Sequence, residues 1–344
     1  MARLSRLAHV RLALAPALVA LGAVGVLPDA QARQGSSTRP NFVVVLVDDA
    51  GYADFGFQGG GIAGDFADLT PRIDALVGGG VRFSNGYASA AVCGPSRAGL
   101  LTGRYQGRYG FETNIQTPSD CPGLSTSEST VADLLRADGY RTYMLGKWHL
   151  GVDPEFHPNV RGFDEFFGFL SGGRTYFQLV GGGPNSRLQR NGTPVVETPD
   201  QYVTDLLGAE AEAYVDGHVA SFPGQPFFVY LSFNAVHTPL EADDPRLADP
   251  RISGIVDANR RTLGAMTIAL DDAVGGVLDA LDRNGGASDT SVAFVNDNGG
   301  PEDDLGLLAP NWSDNGPLRG NKSRLYEGGI RIPFALRWPA DRER

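Results

Sequence analysis

The chain is poor in cysteine and in lysine. Cys93 and Cys121 are its only cysteines in 344 residues, so a disulfide framework is excluded and at most one bridge could form. Lys147 and Lys322 are its only lysines, although Lys and Arg together number 29. Arg therefore supplies generic positive charge, and the two lysines mark places where a compact ammonium that can also lose a proton is wanted. Positive charge as a whole is in deficit. The formal net charge of −11 argues against a nucleic-acid partner. Long apolar runs are missing beyond the N-terminus, so no later stretch is suited to crossing a bilayer.

The N-terminus itself reads as an export signal. Arg3, Arg6 and Arg11 precede an uncharged apolar run over residues 12–27, and Ala30-Gln31-Ala32 has the form of a cleavage site. We read residues 1–32 as a cleaved signal peptide, with no stable membrane association afterwards and a periplasmic or secreted location. Residues 33–344 then form a single α/β domain.

Four predicted strands end in residues that carry chemistry. Asn41 to Val47 is a continuous β-branched run, the pattern of a strand buried on both faces of a parallel sheet, and it stops at Asp48-Asp49. Two adjacent carboxylates repel, and a divalent cation relieves that repulsion; hard oxygens favour Ca²⁺ or Mg²⁺. Tyr140 to Leu145 is a strand leading into Gly146-Lys147-Trp148-His149-Leu150-Gly151, where Lys147 and His149 share a side if the chain stays extended. Pro226 to Phe233 ends at Asn234-Ala235-Val236-His237-Thr238-Pro239, and Ser291 to Val295 ends at Asn296-Asp297-Asn298-Gly299-Gly300. In open α/β sheets, ligands bind at the carboxyl edge, so these distant segments can converge there.

Helices are expected between them. Thr70 and Pro71 are an N-cap and first residue for a helix ending at Gly78. Ser125 to Asp138 reads as amphipathic, with Val131, Leu134 and Leu135 apolar, and Asp257 to Arg283 as a long helix stopped by Asn284-Gly285. Pro95 and Ser96 begin another, which puts Cys93 near a helix N-terminus, with Arg97 aimed back at it. The Gly- and Pro-rich stretch over residues 181–199 is an irregular excursion near the site mouth. His218, in a polar helix-like stretch, is read as ordinary.

Cys93-Gly94-Pro95-Ser96-Arg97, continuing to Leu101-Thr102-Gly103-Arg104, resembles the C-x-P-S-R and L-T-G-R signature of the type I sulfatases. The Gly146 to Gly151 segment, the Asp297-Asn298-Gly299-Gly300 run, and the stretch from Gly320 and Lys322 to Glu327-Gly328-Gly329-Ile330-Arg331-Ile332-Pro333 resemble further motifs of that family. Both lysines fall inside them. Asn296 stands where the family usually has Ser or Thr, at a position that is not a ligand.

The resemblance implies an alkaline phosphatase-like fold: a large, mostly parallel mixed sheet with helices on both faces. It also implies that the family's small C-terminal antiparallel domain is largely absent from this chain. Cys93 would be oxidised by a formylglycine-generating maturase to an aldehyde whose hydrate attacks sulfur. Asp48, Asp49, Asp297 and Asn298, with residue 93, would hold Ca²⁺, or Mg²⁺. Lys147, His237 and Lys322 would bind the sulfate, His237 with Lys322 would protonate the departing alcohol, and His149 would assist release of sulfate from residue 93. Arg97 completes the catalytic set. The expected substrate is a sulfated sugar or polysaccharide. The alternatives are a phosphonate or phosphodiester hydrolase of the same superfamily and an inactive exported glycan-binding fragment. Because a bridge would consume Cys93, Cys121 is expected to stay free.

Overall fold

A computed structural model describes residues 39–114, 123–179, 183–301 and 311–339. The signal segment and Cys121 lie outside these described residues. Nine strands among them make one sheet: β1 (Asn41–Val47), β2 (Val81–Arg82), β3 (Arg141–Lys147), β4 (Glu165–Phe169), β5 (Gln189–Arg190), β6 (Thr193–Pro194), β7 (Phe227–Ser232), β8 (Thr290–Asn296) and β9 (Phe334–Arg337). Their order is β2-β9-β8-β1-β7-β3-β4-β5-β6. The central run from β8 to β4 is parallel, and antiparallel strands close both edges.

The parallel centre follows from the residues. Strand β1 pairs on both sides, Val43 with Val229 and with Val292, so its β-branched side chains are packed above and below the sheet. One face carries Val43, Val45, Val229 and Leu231 beneath helices α1 (Pro71–Gly78), α4 (Val203–Ser221) and α6 (Ala258–Arg283). The other carries Leu46, Met144, Phe228 and Tyr230 beneath α2 (Cys93–Thr102) and α3 (Val131–Ala137). Short α5 (Asp244–Leu247) and α7 (Glu327–Ile330) complete the helices. The long helix α6 starts at its expected cap, the Asp257 carboxylate accepting from Arg260 N–H at 2.8 Å, and buries Leu263, Met266, Leu270, Val274, Val277 and Leu281. Full burial of each such aliphatic side chain is worth roughly 1.5–3 kcal/mol, so this stripe is a main anchor of the fold.

Three local expectations are corrected. The helix expected over Ser125 to Asp138 is confined to Val131–Ala137, closed by a capping box between Thr130 and Asp133. The buried Arg161 guanidinium explains the loss: it donates to the carbonyls of Leu124, Ser125 and Glu128 at 2.5, 3.2 and 2.7 Å, taking acceptors that a helix would need. Leu134 is left 64% exposed. Helix α1 begins at Pro71, but Thr70 does not cap it; Asp271 of α6 does, accepting from Ile73 N–H at 2.8 Å and Arg72 N–H at 3.0 Å. The stretch after residue 183 is not wholly irregular, since it contains the β5–β6 hairpin that extends the sheet beyond β4.

Candidate active site

Parallel strands β8, β1, β7 and β3 end at one edge of the sheet, and the expected residues meet there. Asp48 and Asp49 follow β1, Lys147 ends β3, His237 follows β7 and Asp297-Asn298 follow β8. Adjacent residues of a strand point to opposite faces, so two neighbouring carboxylates converge only if the backbone turns. It turns at Asp49, which has φ 61°. Oxygens of Asp48, Asp49 and Asp297 all lie within 4.8 Å of one another.

Cys93 is the first residue of α2, two positions earlier than its Pro and Ser suggested. Its fully buried Sγ lies 3.6 Å from Asp48 Oδ1 and 3.9 Å from Asp49 Oδ1. Asn114 Oδ1 accepts from Gly94 N–H at 2.8 Å and so fixes the helix start. Burial pushes the thiol up to about 12, against the pull of Lys147 and Lys322. The unmodified side chain is therefore a neutral thiol near pH 7, a poor nucleophile.

Arg97 does not aim at that thiol. Its Nε and Nη2 donate to Asp297 Oδ2 at 3.1 and 2.8 Å, Nη2 lies 3.5 Å from Asp48 Oδ2, and Nη1 donates to the Lys147 carbonyl at 3.1 Å and Ser232 Oγ at 2.5 Å. The rigid guanidinium fork ties α2 to four strand ends at once, those of β8, β1, β3 and β7. Burial disfavours its charge, but Asp297 and Asp48 outweigh this and hold Arg97 above its ordinary range.

Each lysine takes one carboxylate. Lys147 Nζ pairs with Asp48 Oδ2, and Lys322 Nζ pairs with Asp49 Oδ2 at 2.6 Å. Both ammonium groups are almost completely buried. Burial alone would raise Asp49; Lys322, His237 and Lys147 overcome it and hold this carboxyl below its usual range. Asp297 goes the other way, to about 6, through burial first and then the Asp48 charge.

The histidines differ. His237 Nε2 is 3.5 Å from Asp49 Oδ2, and Nδ1 is 2.6 Å from the Thr238 carbonyl, which can only accept. Nδ1 thus carries the proton in the neutral ring, leaving the Nε2 lone pair toward the site. Burial, with Lys147 and Lys322, lowers His237 to about 4. His149 does not sit on an extended chain, as the spacing from Lys147 assumed: its φ is 58°. It is nonetheless brought into the cluster. Burial first, then Lys147 and Arg97, holds it well below the ordinary imidazole value.

The donor set suits a hard cation. Three buried carboxylates stand together, and the Asn298 amide completes the argument. Its Nδ2 donates to Asp49 Oδ1 at 2.7 Å, while its fully buried Oδ1 has no hydrogen-bond partner among the described residues. An acceptor stranded beside three carboxylates is what an oxygen-coordinated Ca²⁺ or Mg²⁺ requires. Asn296, at the position that departs from the family pattern, is structural. Its Nδ2 donates to the carbonyls of Ala50 and Asn298, closing the turns after β1 and β8 upon each other.

Some supports were not identified from sequence. Asn311 Nδ2 donates to the Asp49 carbonyl at 2.8 Å, and Ser232 links Arg97 to Lys147. Neither lies in a pattern that separates it from an ordinary loop or strand residue. By contrast, His218 is ordinary as expected, buried between the Tyr143 hydroxyl and the Gln225 carbonyl.

Comparison with known proteins identifies the family. The family model described as Sulfatase matches residues 40–344. N-acetylgalactosamine-6-sulfatase of Mus musculus is 32% identical over 94% of this chain and 61% of its own length. Arylsulfatase A of Homo sapiens is 34% identical over 87% of this chain and 59% of its own length. Among solved structures, Ps i-CgsB in complex with k-i-k-neocarrahexaose superposes with a TM-score of 0.78 at 38% identity, covering 88% of this chain and 66% of that one. The chain thus spans about three fifths of the curated relatives it matches, 61% and 59% in these two cases.

Proposed function

The chain belongs to the sulfatase family, and on that premise we propose that it hydrolyses sulfate esters of a sulfated sugar or polysaccharide. One observation carries the reading. Both lysines of an otherwise Arg-based chain converge, with Cys93, on a buried cluster of three carboxylates. Chance placement of two lysines does not produce that convergence. The oligosaccharide held by Ps i-CgsB supports a carbohydrate substrate.

Asp48, Asp49, Asp297 and Asn298, with residue 93, would hold Ca²⁺ or Mg²⁺, which supplies positive charge against a sulfate anion. Without it, Arg97, Lys147 and Lys322 just balance Asp48, Asp49 and Asp297. Lys147 and Lys322 each pair with a different carboxylate of the cluster, Asp48 and Asp49, and bind the sulfate oxygens. Residue 93 is converted by a maturase to formylglycine, whose hydrate provides the nucleophile that a neutral buried thiol does not. His149, held neutral, would accept the proton whose loss lets residue 93 release sulfate. His237 keeps 23% of its side chain exposed, whereas those of Lys147 and Lys322 are at most 3% exposed, so the departing alcohol lies on the open side beside His237. There Lys322, which keeps its ammonium proton, supplies the proton to the departing alcohol, and His237 relays it through the Nε2 lone pair that faces the site.

Export fits the same reading: residues 1–32 direct the chain to the periplasm or medium, and residues 33–344 are the catalytic domain. Among the described residues no helix is long and apolar enough to cross a membrane. The test is peptide mass spectrometry of protein expressed with the maturase, followed by sulfate release from sulfated oligosaccharides. Loss of about 18 Da at residue 93 and release of sulfate are expected. An intact thiol after expression with the maturase, or no release by modified protein, would overturn the proposal.

A further inference from the structure

Asn234 stands at the end of β7 with an unexplained side chain. It is 1% exposed, and neither Oδ1 nor Nδ2 has a hydrogen-bond partner among the described residues. Leaving one buried polar atom unpaired costs about 1–3 kcal/mol, so two on one side chain call for a partner. Its surroundings limit what that partner is.

Strand β7 lies between β1 and β3, with Ser232 level with Leu46 on one side and Gly146 on the other. Two residues further along, the flanking chains have reached Asp48 and Trp148-His149. Val229, Leu231, Phe233 and Ala235 all pack into the core beneath α4 and α6, so the alternate positions face the other way. Ser232 does so, donating to the Lys147 carbonyl and accepting from Arg97. Asn234 is the next residue on that side. Its backbone carbonyl accepts from the Tyr176 hydroxyl at 2.7 Å and from His237 N–H at 2.9 Å, which anchors its main chain and leaves the amide group alone unsatisfied. Across the strand ends, His149 Nδ1 is also buried and unpartnered. The strand ends that carry the site thus hold an amide and an imidazole nitrogen that nothing among the described residues satisfies.

We propose that Asn234 is a further substrate-binding residue, its Nδ2 donating to a sulfate oxygen and its Oδ1 accepting from a hydroxyl in the occupied site. An amide suits this position because it adds a donor for the anion without adding charge to a cluster whose carboxylates and cations are already matched. The inference rests on the sulfatase reading and deepens it.

The experiment compares the full chain, expressed with the maturase and supplied with Ca²⁺, against Asn234→Leu and Asn234→Ala. Leu has the same branching and heavy-atom count as Asn, though its methyl groups are bulkier, and it removes both unpaired polar atoms. If Asn234 only fills space, Asn234→Leu melts at or above the wild-type temperature with unchanged activity. If it binds substrate, the melting temperature holds while kcat/KM on an aryl sulfate ester falls by about 30-fold or more, and inorganic sulfate binds about 10-fold more weakly by calorimetry. Retention of kcat/KM and of sulfate affinity within about threefold overturns the proposal. Should Asn234→Leu fail to fold, Asn234→Ala is judged by the same ratios. A wild-type protein that releases no sulfate from any ester defeats the functional reading, and sulfate affinity then decides the inference separately. A wild type that neither turns over nor binds sulfate defeats both.

Discussion

Two clusters of buried charge make an instructive pair. In one, Arg260 on α6 lies 3.6 Å from the centroid of the Phe66 ring and is saturated by the protein. Its Nε and Nη2 donate to the two oxygens of Asp65 at 2.9 and 2.8 Å, and Nη1 donates to Asp54 Oδ1 at 2.7 Å and to the Trp312 carbonyl at 2.9 Å. In the other, Asp48, Asp49 and Asp297 face two lysines and Arg97, and buried atoms of Asn298, His149 and Asn234 are left without partners. The first cluster has nothing left to bind. The second is neutralised but unsatisfied, which is how a site differs from a brace: its remaining hydrogen-bonding capacity belongs to a ligand.

The strongest way to break the comparison is at residue 93. Cys93→Ser should lower sulfate release by more than about 10³-fold, because a Ser hydroxyl has no second hydroxyl to regenerate the group, while the melting temperature stays close to wild type. Turnover by this variant near the wild-type rate would sink the mechanism. The brace should respond in the opposite way. Arg260→Ala strands the buried Asp54 carboxylate, leaves the partly exposed Asp65 unpaired, and should destabilise the fold by about 3 kcal/mol in denaturant titration.

A third prediction concerns Asp271, the buried cap of α1. Burial pushes its carboxyl up to about 6 from 3.8, against the N–H groups of Ile73 and Arg72. A folded value above the unfolded one gives stability that is present in full below about pH 4 and is lost as pH rises through 6. Asp271→Asn does not titrate. The wild type should therefore lose stability relative to this variant between pH 4 and 7, by up to roughly 3 kcal/mol, measured by urea unfolding at each pH. A difference that does not change with pH would show that the carboxyl is not perturbed. The smallest effect should come from the metal. Ca²⁺ at about 100 times its Kd should raise stability by about 2.7 kcal/mol, and a chelator should reverse this. Asp297→Ala should abolish the response, whereas Asp65→Ala, in the saturated cluster, should leave it intact.

Much of the site was legible because its residues sit in short runs at strand ends. The β-branched run before Asp48-Asp49 and the strand before Asn296 announce a parallel sheet, and a parallel sheet brings its carboxyl ends together. Lysine scarcity pointed to Lys147 and Lys322 without any geometry. Less legible were partners made by distant side chains. The missing turns before α3 depend on Arg161, more than twenty residues away from the carbonyls it takes, and the cap of α1 comes from Asp271 on another helix. Local propensity has no access to either.

The sequence by itself determined the composition of the site and the class of fold, since period, strand composition and motif residues are local properties of the chain. Tertiary structure alone decided which charges pair. It turned Arg97 from the thiol to Asp297, assigned Lys147 to Asp48 and Lys322 to Asp49, and left the Asn234 amide and the Asn298 Oδ1 without partners among the described residues. The physical reason is that pairing in a buried cluster is set by distances of a few ångströms between groups up to 273 residues apart in the chain, and by the loss of water that would otherwise satisfy each of them.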